Sequence, residues 1–167
     1  MPRLVQSYAR LTVLRRLALV GVVALVTAAA ASAAGGAGAT LSSSAPGARN
    51  VSVTIVLDDV VFRCGSPNLS SLSLALPPAM RVPGSIPARS VRVGGRLARS
   101  VRPDGKTIAV SLTASPHRMT CDVIVVGPLR IQLTRKAGLG NPARAGTYAF
   151  TVEAKPRGAW HGSFVVR

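Results

Sequence analysis

Beyond residue 50, apolar side chains recur at every second position. That is the period of a strand with one buried face. In residues 50–57 the repeating set is Val51, Val53, Ile55 and Leu57. Leu72, Leu74 and Leu76 alternate with Ser71, Ser73 and Ala75, and Pro77-Pro78 ends the run because proline cannot donate to a ladder. Val91 and Val93 form a short strand closed by Gly94-Gly95, and residues 97–101 answer it as the second arm of a hairpin. Pro103-Asp104-Gly105 reads as a turn, followed by the alternating set Ile108, Val110 and Leu112. Residues 123–126 are continuously apolar, and Gly127-Pro128 is expected to break that strand. Leu129, Ile131 and Leu133 alternate next, then Tyr148, Phe150 and Val152, and residues 164–166 close the chain. About eight short strands, with turn signals every 8–12 residues, predict an all-β sandwich or barrel.

The N-terminal third follows another pattern. Arg3, Arg10, Arg15 and Arg16 occur without an acid, and an apolar run from Leu17 leads into small residues. These are the three parts of a secretory signal, with cleavage expected between Ala33 and Ala34 after the small-residue triplet Ala31-Ser32-Ala33. The alternative is an uncleaved anchor, which would be the chain's one route into a membrane. The Arg15-Arg16 pair has no Ser or Thr before it, so general export is favoured over a twin-arginine route. Residues 35–49 are small and polar without periodicity, which predicts a flexible linker. The expected organisation is therefore a signal helix in residues 1–33, a linker in 34–49 and one β domain in 50–167.

Composition narrows the classes. A hydrophobic fraction of 48% excludes wholesale disorder despite a net charge of +16. Two cysteines are too few for a disulfide-dense miniprotein or a four-cysteine zinc module. Arginine outnumbers lysine 18 to 3, and Ala, Gly, Val and Pro are abundant, which suits a GC-rich bacterial genome.

Residues 72–95 (LSLALPPAMRVPGSIPARSVRVGG), 106–112 (KTIAVSL) and 127–154 (GPLRIQLTRKAGLGNPARAGTYAFTVEA) share a layout. A strand ends in proline, a Pro-rich loop follows, then a Val-Arg-Val-Gly-Gly hairpin and an Asn-Pro turn before a Tyr-containing strand. Over residues 72–152 this resembles repeat-type domains of secreted and surface-layer proteins of Gram-positive bacteria. Gly138, Asn141, Pro142, Gly146 and Tyr148 carry its most specific part. The resemblance implies an immunoglobulin-like antiparallel β-sandwich serving as a spacer or adhesive module, without enzyme chemistry. Read from the residues alone, Asn141-Pro142 favours turn initiation. Tyr148 stands where sandwich folds often carry a tyrosine corner, or is simply a strand aromatic.

Residues able to do chemistry are sparse. Cys64 and Cys121, an even pair in an exported chain, point to a disulfide closing about 57 residues, worth roughly 4 kcal/mol as an upper figure. The alternatives are free buried thiols or a soft-metal site joining them to His117 and His161. A copper reading of His117, Met119 and Cys121 is disfavoured because both other ligands precede the cysteine. Asp58-Asp59 is the sole acid pair and suits a turn or strand end better than a calcium cage, which needs six or more oxygens. No nucleophile elbow or paired general acid and base is evident. No cofactor, no metal and no catalytic residue is expected. Asn50-Val-Ser52 and Asn68-Leu-Ser70 match a glycosylation pattern that has no meaning in most bacteria.

Loss of residues 1–33 removes four arginines and no acid, leaving a charge of +12. Arg81, Arg89, Arg92, Arg96, Arg99 and Arg102 crowd one stretch, and Arg92 points away from Val91 and Val93. A basic secreted protein is drawn to anionic polymers and headgroups. Aromatics at 4% are too few to stack single-stranded bases, and no helix is available for a major groove, so a specific nucleic-acid partner is not expected. The expected function is a noncatalytic, envelope-associated β-sandwich with a structural or adhesive role, whose partner is an anionic wall polymer or another envelope protein. An extracellular metal or small-ligand binder, and a small secreted enzyme or inhibitor, are the alternatives.

Overall fold

The computed structural model describes residues 35–62, 69–113, 125–154 and 158–167. Eleven strands account for most of them, and the described residues contain no α-helix. They are β1 (Gly35–Leu41), β2 (Arg49–Val51), β3 (Val53–Phe62), β4 (Ser71–Ala75), β5 (Val91–Val93), β6 (Arg96–Asp104), β7 (Thr107–Leu112), β8 (Val125–Leu133), β9 (Leu139–Gly140), β10 (Gly146–Ala154) and β11 (Gly158–Val166). One-turn 3-10 helices stand at Ala88–Ser90 and Arg135–Ala137.

Nine strands close into a barrel in the order β1-β11-β10-β4-β7-β6-β5-β8-β3, and β2 and β9 form a separate two-stranded sheet. The all-β expectation holds. The main sheet closes into a barrel where an immunoglobulin-like antiparallel sandwich was expected, and the reason is β1. Residues 35–41 were expected to be linker, yet they pair in parallel with β11 and antiparallel with β3. This strand bridges the two ends of the ring, so residues 35–41 belong to the ring and not to a linker.

The closure needs a glycine. Gly162 pairs with Ala37 on one side and Phe150 on the other. A Cβ built there would strike the Ala37 carbonyl oxygen and come within 2.6 Å of Phe150 Cζ. The hydrogen in place of a side chain is what lets β1 approach.

The period-2 residues point inward as their spacing requires. Val53, Ile55, Leu57, Leu72, Leu74, Ile108, Val110, Ile131, Leu133, Phe150, Val152, Phe164 and Val166 are buried in one cluster. Met80, Ile86, Ala137 and Leu139 join it from the loops and the small sheet. Burial of each such large side chain contributes about 1.5–3 kcal/mol. These side chains form one apolar core among the described residues. Among the described residues, Leu97 and Val165 are the exposed large hydrophobics.

Two local expectations are also corrected. Strand β8 does not break at Gly127-Pro128. Leu129 pairs with Leu57 and Gly127 with Val60, so Asp58 and Asp59 together oppose Pro128. This is a β-bulge, where a proline without an N–H costs the ladder least. Asp58-Asp59 therefore lies within a strand and not at its end. Asp59 takes φ of 54°, and Trp160 Nε1 donates to the Asp58 carbonyl at 3.0 Å. The Gly94-Gly95 hairpin forms as expected, with φ of 56° and 81° supplying the two positive angles of a type I′ turn.

Candidate functional site

The six arginines of the 81–102 stretch are all exposed, but the fold divides them. Arg92 lies on β5 opposite Leu97 of β6 and Gln132 of β8, and these neighbours share the outer surface. On β6, Ala98 pairs with buried Leu112, while Arg102 pairs with exposed Ala109. A bulge between Ala98 and Ser100 turns Arg99 outward as well. Arg92, Arg99 and Arg102 thus project from one outer strip of adjacent strands, and Arg96 occupies the hairpin corner. Arg92 Nη1 donates to the Gly95 carbonyl at 3.0 Å, which holds the guanidinium over the turn. Arg130 of β8 is exposed beside this hairpin, where Gly94 N donates to its carbonyl at 2.8 Å.

Arg81 and Arg89 belong elsewhere. Arg81 forms an isolated bridge with Gly140, whose other partner is Arg49 of β2. Arg89 sits in the 3-10 turn before β5. The next residue, Ser90, accepts from Thr134 N at 2.9 Å, which sets this turn beside the Arg135–Ala137 turn. A run of arginines continuous in sequence is therefore dispersed in space, with Arg81 and Arg89 off the strip.

Apart from these arginines, an open-sided groove of about 600 Å³ is lined by Ser42, Ser43, Arg49, Asn50, Val51, Arg135, Lys136 and Gly138. Its cations come from two distant segments, so no local run of charge in the sequence marks it. The one sequence signal is the Asn-Pro turn that supports it. Asn141 is buried, and its Nδ2 donates to the Ser43 carbonyl at 2.8 Å and the Ala45 carbonyl at 2.9 Å. The Asn141 backbone N–H donates to the Ala48 carbonyl at 2.8 Å, and Gly47 N donates to the Pro142 carbonyl at 2.8 Å. Asn141 is therefore the clamp that holds residues 42–48 in place, a stronger role than turn initiation. Tyr148 Oη donates to the Arg144 carbonyl, four residues upstream, at 2.8 Å. That is the bond of a tyrosine corner.

His161 is exposed on β11, with Nδ1 3.0 Å from Thr151 Oγ1. Cys64, Cys121, His117 and Met119 lie outside the described residues, as do the Ala33–Ala34 cleavage position and Asn68. Asn50 is exposed at the groove with φ of 54°.

No protein-family model matches the chain, and no curated protein matches it. Solved structures of similar shape include BslA, a bacterial hydrophobin, at 20% identity and a TM-score of 0.48, covering 80% of this chain and 98% of that one. The pilus 2b backbone protein of group B streptococcus is similar at 12% identity and a TM-score of 0.46, covering 78% of this chain and 56% of that one. A DUF4466 family protein from Parabacteroides merdae is similar at 13% identity and a TM-score of 0.38, covering 80% of this chain and 44% of that one.

Proposed function

We propose that this chain is a noncatalytic, exported module that associates with the cell envelope by laying its basic outer strip on an anionic polymer. The observation that carries the reading is the alignment of Arg92, Arg99 and Arg102 on one exposed strip of β5 and β6. The cluster of buried apolar side chains among the described strands supports a structural role. Export is read from the basic start, apolar run and Ala31-Ser32-Ala33 end. The immunoglobulin-like character belongs to this reading through the Tyr148 bond and the sandwich-type sequence layout.

Charge-driven association weakens as salt shortens the Debye length from about 10 Å at 0.1 M to about 3 Å at 1 M. The test is cosedimentation of the chain with purified poly(glycerol phosphate)-bearing cell walls across that range. The parent is expected to be retained at low salt and released at high salt. The Arg92→Gln, Arg96→Gln, Arg99→Gln triple variant is expected to lose most retention while melting at nearly the same temperature. Equal retention of a folded triple variant would remove the reading.

A further inference from the structure

We propose that the groove between residues 42–51 and the Arg135–Ala137 turn is a discrete binding site for a phosphoryl group carried on a small polyol. It is separate from the β5–β6 strip and does not depend on that strip's role. Arg49, Arg135 and Lys136 line one concavity, and among the described residues no carboxylate lines it with them. Three like charges gathered without an acid repel one another, and an anion between them relieves that repulsion. Guanidinium groups suit phosphate oxygens because their paired N–H donors match that geometry.

The neutral groups are also arranged as donors. Ser42 Oγ accepts from Ser52 N at 2.9 Å, and Ser43 Oγ accepts from Ala45 N at 3.3 Å. With acceptor roles taken by backbone N–H groups, each hydroxyl retains its own proton to give to a ligand oxygen. Asn50, held at φ of 54° in the irregular register between Arg49 and Val51, adds an exposed amide at the rim. The left-handed region is uncommon for a residue other than glycine, and such backbone clusters where ligands are held. At about 600 Å³ the groove exceeds a lone phosphate and falls in the range of small-molecule sites.

The site can be tested by titrating the folded chain with glycerol 3-phosphate in a calorimeter at low salt, with inorganic phosphate, sulfate and glycerol as parallel probes. Saturable binding of glycerol 3-phosphate is expected, with inorganic phosphate weaker and glycerol silent. Arg49→Gln with Arg135→Gln should weaken glycerol 3-phosphate at least tenfold, and Lys136→Glu should do so independently. All three side chains are exposed, so these variants should keep the parent's circular dichroism and melting temperature. The Arg92→Gln, Arg99→Gln, Arg102→Gln variant should bind within twofold of the parent. Four results would overturn the site: no saturable binding by the parent, equal binding of sulfate and glycerol 3-phosphate, folded groove variants that bind like the parent, or loss in the strip variant equal to theirs. Failure of wall retention with intact glycerol 3-phosphate binding would overturn only the strip reading.

Discussion

The basic strip on β5–β6 and the groove beside the Arg135–Ala137 turn differ in construction more than in charge. The strip is a strand ladder with one bulge, whose inward residues, Val91, Val93 and Ala98, pack the core while its arginines face water. Structure and charge are carried by alternate residues, so either can be changed alone. The groove is built differently. Its shape depends on the loop of residues 42–48, and that loop depends on one buried side chain, Asn141. Strand alternation alone arranges the strip's charges, whereas the groove keeps its shape only through a clamp outside its own charged residues.

Substitution at the seam should remove the difference by damaging what the two regions share. Gly162→Ala puts a Cβ against the Ala37 carbonyl and the Phe150 ring, and the backbone carbonyl cannot retreat without parting β1 from β11. A loss of about 2–3 kcal/mol is expected in denaturant unfolding, with both regions affected together. Asn141→Ala should separate them. It leaves the Ser43 and Ala45 carbonyls without their donor, an expected cost of about 2 kcal/mol. Hydrogen exchange should accelerate in residues 42–48 and remain unchanged in the β5–β6 hairpin. Faster exchange in both would contradict the coupling argued for the clamp.

A smaller effect is expected from Tyr148→Phe, which removes the bond to the Arg144 carbonyl and leaves the ring stacked near Phe164 at 6.0 Å between centroids. A melting-curve loss of about 1 kcal/mol is the expected result. The smallest change belongs to the strip. Arg92→Gln, Arg96→Gln and Arg99→Gln together should cost less than about 0.5 kcal/mol each in stability while sharply reducing retention on anionic walls.

These differences also explain what could be seen in the sequence. The inward residues of β3, β4, β5, β7, β8 and β10 are legible because large apolar side chains recur every second position and one face of each strand is buried. Strand β1 is not, because Gly35–Leu41 reads GGAGATL and, of the positions that pack against the core, Ala37 and Ala39 are small and only Leu41 is large. Its pairing comes from the open edges of β3 and β11, a nonlocal cause that leaves no local pattern. The continuity of β8 through Pro128 is hidden for the same reason, since the permitting bulge lies on β3. The outward direction of Arg92 follows from alternation alone. The separation of Arg81 and Arg89 from it does not, because it depends on Gly140 and Thr134 from a later part of the chain.

The central claim is that two basic regions recognise anions independently, one diffusely and one at a defined site. The most direct measurement is a map of backbone amide shifts in the folded, isotope-labelled chain during two titrations, one with glycerol 3-phosphate and one with soluble poly(glycerol phosphate). The account predicts saturating shifts for glycerol 3-phosphate confined to Ser42, Ser43, Arg49, Asn50, Arg135 and Lys136. It predicts additional, salt-sensitive shifts across Arg92–Arg102 for the polymer alone. Shifts for both ligands that spread evenly over every exposed arginine would contradict it.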